Sequence, residues 1–316
     1  MPDTASFCLL GALASTFVRL HLERVISPPD QVRAAHDSVL LVAEPDLAIV
    51  VVTGGDRASW LNGLVTCDVA KLPDGACAYG LAVTQKGRIL TDLFVTKRGD
   101  AIDVVLPARV RDAVMDALEK YLVMEDAEMA RDDARRVWFA HGPKAAELGI
   151  VCDRTGLGGA IVIAPPEEKD RLAERVASLG GVVGDASGWE ALRVERGVPA
   201  FGVDFDEKTY PQEASLEKRA VSFDKGCYLG QEVVCMLELR GHVKRKLVPF
   251  AMDDGEGVAR GAKVTDDAGT EIGTVSSATS SATLGKHVGL AMLKLAHTDE
   301  GAKLHIANKT ARVLPH

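Results

Sequence analysis

Lys225-Gly226-Cys227-Tyr228-Leu229-Gly230-Gln231-Glu232 is the stretch of this chain that general folding needs explain least, and the reading of the fold turns on it. It sets an amine and a thiol two residues apart, adds two glycines, and runs into what reads as the start of a helix. Glycine at 226 and 230 admits backbone angles closed to other residues. Lys225 and the positive end of a following helix would both favour a thiolate on Cys227. Two readings stay open here. Either Lys225 and Cys227 form a tuned, partly exposed catalytic pair, or the stretch is a tight loop in which Cys227 is a small buried hydrophobe.

The texture of the chain differs on the two sides of this stretch. Downstream, short apolar runs at 247–252, 263–265, 272–276, 287–293, 303–306 and 310–313 are separated by turn-rich pieces such as Asp253-Asp254-Gly255. That spacing predicts a small antiparallel β-barrel. Upstream, 47–53 reads as a strand broken by Gly54-Gly55-Asp56 before a helical stretch to 64. Runs at 76–84 and 88–97 form a hairpin about Gln85-Lys86-Gly87, followed by a strand at 101–106, a helix at 108–121 and a strand near 128–131. A fainter second set follows, with strands at 137–140 and 159–164 and helices at 143–148 and 166–179. The fold expected is α+β, with two pseudo-repeated mixed-sheet, ferredoxin-like halves (1–134 and 135–244) enclosing a cleft, then a barrel over 245–316.

At 316 residues the chain exceeds what one hydrophobic core supports, so several domains are expected. A formal net charge of -8 argues against broad, non-specific binding to nucleic acid or membranes. Arg240, His242, Lys244, Arg245 and Lys246 make the densest basic segment. The six cysteines contain no Cys-x-x-Cys pair and no metal spacing with histidine, so no metal is expected and reduced thiols in a cytoplasmic protein fit best. The apolar run at 7–18 lacks a preceding basic residue and is too short to cross a bilayer.

Helix 188–197, with Ser187 as its expected cap, carries Glu195 near the cleft. A buried carboxylate is costly unless paired, and a ligand with adjacent N–H donors would pair both oxygens. The alternative is a solvated face or a pair with Arg193 or Arg196. Asn62 and Asp68 follow the first strand and its helix, where a ligand contact competes with a capping role. Thr91-Asp92 sets a carboxylate among apolar strand neighbours, and Tyr79 lies in the facing hairpin strand.

Leu192-Arg193-x-Glu195-x-Gly197-x-Pro199, followed by Pro211-x-Glu213-Ala214 and by the block at 225–232, resembles the folate-binding superfamily of the glycine-cleavage T-protein (aminomethyltransferase). The Lys-Gly-Cys-Tyr-x-Gly-Gln-Glu form is similar to its YgfZ branch, tetrahydrofolate-binding proteins linked to iron–sulfur cluster assembly or repair and to tRNA modification. The resemblance runs from about residue 47 to the end. It implies a tetrahydrofolate cofactor, iron–sulfur proteins or their assembly machinery as partners, and no nucleic-acid contact beyond a tRNA-modification link. Glu195 matches the glutamate that meets the pterin edge, and Asn62, Asp68, Tyr79 and Arg240 are the further folate contacts expected. Lys225, Cys227 and Asp92 are the residues expected to carry chemistry. Where T-proteins resemble one another in a paired Asp-Asp this chain has Thr91-Asp92, and where they usually carry aspartate in the signature it has Cys227. Both departures tell against aminomethyl transfer, which stays the alternative activity.

Overall fold

Residues 26–241, 243–254 and 257–315 are described in the computed structural model of the chain. The apolar run at 7–18 and His242 lie outside these residues. The described chain opens with α1 (Pro28–Asp37), capped by the Ser27 hydroxyl, and the four-residue strand β1 (Leu40–Ala43). There follow β2 (Leu47–Thr53), α2 (Arg57–Asn62), β3 (Cys77–Val83), β4 (Ile89–Arg98), β5 (Ala101–Pro107), α3 (Arg111–Glu119) and β6 (Glu128–Asp132). These five later strands make one sheet in the order β3-β4-β5-β2-β6. The second half comprises β7 (Arg136–His141), β8 (Ile150–Val151), β9 (Gly159–Ala164), α4 (Lys169–Ser178), β10 (Val182–Val183) and α5 (Ala186–Glu195). Its sheet runs β10-β1-β7-β9-β8, with β1 and β10 parallel.

The strand β1 corrects the division of the chain expected at 134/135. Leu40, Leu41 and Val42 are buried on both strand faces and need partners on both edges. Both edges of β2 are taken by β5 and β6, so β1 pairs instead with β7 and β10 of the second sheet. Residues 28–43 therefore belong to the second half. A smaller correction concerns α5. Its cap is Asp185 rather than Ser187, because the Asp185 carboxylate accepts from the Ser187 and Gly188 backbone N–H groups.

The two sheets lie face to face across one apolar layer. Ile49, Phe94 and Val105 of the first meet Val137, Phe139 and Ile161 of the second. The other face of the first sheet is covered by Trp60, Leu61, Val114 and Leu118 of its two helices. Leu172 and Val176 of α4 do the same for the second, while α1 and α5 pack on Leu40 and Val42. Period-two alternation in the strands produces this division of side chains between layers.

After α5, a largely irregular segment with α6 (Glu217–Ala220) and α7 (Gln231–Arg240) leads into six strands: β11 (Arg245–Met252), β12 (Lys263–Thr265), β13 (Glu271–Ser281), β14 (Lys286–Lys294), β15 (Lys303–Ile306) and β16 (Lys309–Val313). They close into an antiparallel barrel, β11-β14-β13-β12-β15-β16. A buried ionic knot ties it to the second half. Arg193 of α5, 1% exposed, donates to Asp204 Oδ2 at 2.8 Å, to Ser277 Oγ at 2.9 Å and to both Glu190 oxygens at 2.6 Å. Ser276 and Ser277 donate to the other Asp204 oxygen at 2.5 and 2.7 Å. Removing one partner of such a knot leaves a buried charge uncompensated. Arg193→Leu is expected to lower unfolding free energy by about 3 kcal/mol, read as a lower midpoint in urea denaturation.

Candidate ligand-binding site

The hairpin β3–β4 aims its functional groups into the layer between the sheets. Tyr79 pairs with Phe94 and Leu81 with Asp92, so Tyr79 and Asp92 are diagonal neighbours on one face. The Tyr79 hydroxyl donates to Asp92 Oδ2 at 3.0 Å. Burial raises the Asp92 carboxyl above the usual carboxylate range, against the opposing pull of the Tyr79 hydrogen bond, Arg154 and Arg109. Burial, and then Asp92 itself, holds the Tyr79 phenol well above its ordinary value.

Opposite them, the loop after β8 supplies Asp153 and Arg154, and the segment after α5 supplies Pro199 and Arg219. These residues line a cavity of about 200 Å³ with Tyr79, Asp92 and Phe94. A second cavity of about 360 Å³ shares Asp92, Phe94, Arg154 and Pro199 with it and reaches Arg109 and Trp189. The Arg154 guanidinium lies 4.1 Å from the Trp189 ring, 4.4 Å from Phe139 and 5.2 Å from Phe94, and donates to Glu44 Oε1 at 3.0 Å. Aromatic faces hold it in place without using all its donors. The result is a slot with aromatic walls, the carboxyl groups of Asp92 and Asp153, Glu44 and Asp46 at the second cavity, and three guanidinium groups, suited to a planar ligand carrying hydrogen-bond donors and negative charge.

Of the site residues expected from sequence, Tyr79 and Asp92 are brought together here and the others are not. Asn62 Oδ1 accepts from the Val69 and Ala70 backbone N–H groups at 3.0 and 3.2 Å. Asp68 accepts from the Lys71 N–H at 3.0 Å and faces the Lys71 ammonium at 3.5 Å. Both therefore organise the loop after α2, and neither lines the cavity. Glu195 is also committed elsewhere: His36 meets one carboxylate oxygen at 2.8 Å and the Ser281 hydroxyl the other at 2.5 Å. Burial works to raise its carboxyl, but the hydrogen bonds from Ser281, Thr283 and His36 prevail and hold it below the usual range. With both oxygens engaged between α1, α5 and the barrel, Glu195 offers no free pair of acceptors to a ligand. Arg240 ends α7 as an exposed residue outside the cavity lining.

The signature stretch also differs from expectation. Lys225 is buried, and its ammonium donates to the carbonyl oxygens of Asn62, Val65 and Cys67 at 2.6, 2.8 and 2.6 Å. All three of its donors are used, leaving none for Cys227. Desolvation lowers the Lys225 amine to about 8, with Cys67 and Asp68 opposing the shift. Cys227 is exposed. Gly230 has φ of 79°, and a Cβ there would meet the Thr84 carbonyl oxygen at 2.3 Å, so the turn of the β3–β4 hairpin leaves room for glycine alone. Leu229 N–H donates to the Gly63 carbonyl at 2.9 Å. The signature thus clamps the end of α2 and the hairpin that carries Tyr79 and Asp92. Gly226 has open space around its Cα and an ordinary φ; nothing in the structure explains it.

Sequence reading missed Arg154, Arg219 and Arg109. Arg154 lies in an irregular loop, Arg219 in the four-residue helix α6 and Arg109 in a single 3-10 turn at Ala108–Val110, pieces too short for periodicity to mark a facing direction. The turn Asp153-Arg154-Thr155-Gly156 between two strands of the second sheet was the available signal.

Comparison with known proteins fits this architecture. Residues 28–152 match the family model described as the GCVT N-terminal domain, and 245–315 match the glycine cleavage T-protein C-terminal barrel domain. The first match begins at residue 28 and so takes in β1. Similar proteins include the tRNA-modifying protein YgfZ of Sodalis glossinidius, 28% identical over 68% of this chain and 72% of the relative. The aminomethyltransferase of Rubrobacter xylanophilus is 25% identical over 90% of this chain and 85% of the relative. The crystal structure of glycine cleavage system aminomethyltransferase T from Bartonella henselae superposes with a TM-score of 0.80 at 19% identity, covering 92% of this chain and 88% of that one, and so has the same fold. The chain belongs to the YgfZ and glycine cleavage T-protein family. No helix among the described residues is long and apolar enough to cross a membrane.

Because Cys227 is exposed while Cys67 and Cys152 are buried, Cys227 should be alkylated by iodoacetamide faster than the other described cysteines in the native protein. Lys225→Met should change that rate less than about twofold, since the amine serves three carbonyls, yet destabilise the fold by about 2–4 kcal/mol by leaving those carbonyls without a donor. Peptide-resolved labelling kinetics and urea titration check the two effects; a tenfold slowing of Cys227 would restore the amine–thiol pairing.

Proposed function

We propose that this protein binds tetrahydrofolate in the cavity between its two sheets and acts as an accessory protein in iron–sulfur cluster assembly or repair, with a link to tRNA modification. The observation that carries the reading is the convergence of Asp92, Tyr79 and Arg154 on an aromatic slot between the halves. The donor set fits the group. A pterin is planar, presents N–H donors along one edge to a carboxylate, and is joined to an anionic glutamyl tail that guanidinium groups attract. Asp92 is the acceptor for the N–H edge, the rings of Tyr79, Phe94 and Trp189 border the ligand, and Arg109, Arg154 and Arg219 supply the positive charge. Bound tetrahydrofolate would supply one-carbon chemistry, while the protein's own residues orient it and exclude water. The similarity to proteins named for tRNA modification supports the cellular role.

A second reading, aminomethyl transfer from a lipoyl carrier protein, is favoured by one observation: Asp92, the acid kept by this chain, lines the cavity. Glycine-cleavage activity reconstituted with this chain in place of a T-protein supports it, and absent turnover removes it.

Isothermal titration with tetrahydrofolate tests the main proposal. Asp92→Asn and Arg154→Ala should each raise Kd tenfold or more, about 1.4 kcal/mol or above. Glu195→Ala should stay within about threefold of wild type, because its carboxylate is bound to His36 and Ser281. No binding by wild type, or unchanged affinity in both cavity variants, overturns the assignment. For the cellular role, a strain lacking this protein should regain iron–sulfur enzyme activity with wild type and not with Arg154→Ala.

A further inference from the structure

We propose that Cys77 and Cys152 form a dithiol–disulfide site which, oxidised by a low-molecular-weight disulfide, covalently joins the two sheets beside the cavity. The two Sγ atoms lie 3.2 Å apart, although the residues are far separated in sequence and belong to different halves. A disulfide bond is about 2.05 Å long, so bonding requires an approach of about 1.2 Å. Both residues sit where the backbone can yield. Cys77 opens β3, an edge strand of the first sheet, and Cys152 directly follows β8, an edge strand of the second. Interior strands, held on both sides, would resist the same shift.

The pair belongs to the apolar layer between the sheets, with Ile49, Phe94 and Phe139 around it. Its neighbours in sequence are cavity residues. Tyr79 lies two residues beyond Cys77 on the same strand face, and Asp153 and Arg154 follow Cys152 directly. A covalent link here fixes the distance between the cavity's two walls. The assignment stands on the thiol geometry and is independent of which ligand the cavity takes.

The reaction balances as two thiol–disulfide exchanges. Cys77, the less buried of the pair, loses its proton to solvent, and its thiolate attacks one sulfur of the oxidant, releasing one small thiol and leaving a mixed disulfide. The Cys152 sulfur, after losing its proton, then attacks Cys77 Sγ and expels the second small thiol. The protein gives up two electrons and two protons, and the oxidant is reduced to two thiols. The contact with the Cys152 thiol, and then burial, push the Cys77 thiol far above its ordinary value, so exchange accelerates as pH rises.

Full-length protein incubated with glutathione disulfide at graded ratios to glutathione, then quenched, alkylated, digested and mapped by mass spectrometry, tests the site. A peptide joined through Cys77 and Cys152 is expected, together with a melting temperature raised by roughly 5 °C or more and restored by dithiothreitol. Cys77→Ala and Cys152→Ala should each abolish the cross-link and the shift, and Cys227→Ser should leave both intact. Three results overturn the proposal: Cys77 and Cys152 still alkylatable after Cys227 has been fully converted to its mixed disulfide, a cross-link formed only in denaturant, or a link from Cys77 to Cys67 instead.

Discussion

The contact between the inner faces of the two sheets is the constraint on which the rest of this structure depends. Ile49, Phe94 and Val105 on one side and Val137, Phe139 and Ile161 on the other are removed from water only if the halves stay in register. Fully burying a side chain of this size stabilises by roughly 1.5–3 kcal/mol, so the layer outweighs any single polar contact across it. The chain reinforces the register by crossing between the sheets through short links, residues 44–46 from β1 to β2 and residues 133–135 from β6 to β7. At the second link Arg135 donates to both oxygens of buried Asp103 at 2.8 Å and to Asp132 at 2.5 Å. A one-residue slip of either strand would turn its apolar set outward. The cavities occur where this layer gives out, and the polar groups there are those the layer cannot contain.

Clamping explains the residue types of the signature stretch better than catalysis does. A lysine that donates to three carbonyls at once spans the end of α2 and the loop beyond it. Its ring neighbour Tyr228, 5.2 Å from the ammonium, is buried against Leu81 and Val83 of β3 and Ile89 of β4. Gly230 fits under the hairpin turn where a side chain could not. Together these contacts fix the strands that present Tyr79 and Asp92. The stretch acts on the cavity by position, while Cys227 faces outward, where a partner or small molecule can reach it.

Much of the fold was legible because strands with one buried face alternate, and because the barrel's runs are spaced by turn residues. What was not legible depended on non-local pairing. β1 carries no local mark of its destination; only the occupied edges of β2 send it to the second sheet. β8 and β10 have two residues each, too few for any period. At the site, hairpin register places Tyr79 and Asp92 on one face, whereas the engagement of Glu195 with His36 and Ser281 has no local signal, because these partners lie 159 and 86 residues away. Arg154 gains its place from Trp189, Phe139 and Phe94, which come from three different elements, and no window of sequence contains that arrangement.

The same alternation bears on the departure from the paired aspartates at Thr91. Successive residues of β4 face opposite sides, so Asp92 and Phe94 enter the layer between the sheets, and Thr91 shares the helix-covered face with Leu93 and Val95. Thr91 is fully buried, and its hydroxyl donates to the Asp92 carbonyl at 3.0 Å. An aspartate at 91 would be a buried charge on the wrong side of the strand, costly unless paired, and it would not add an acid to the cavity. Threonine at 91 therefore bears on how β4 is packed and leaves Asp92, the acid that lines the cavity, in place. Opposing effects act on Asp92 there: burial favours its neutral form, and the Tyr79 hydroxyl and nearby guanidinium groups favour its anion.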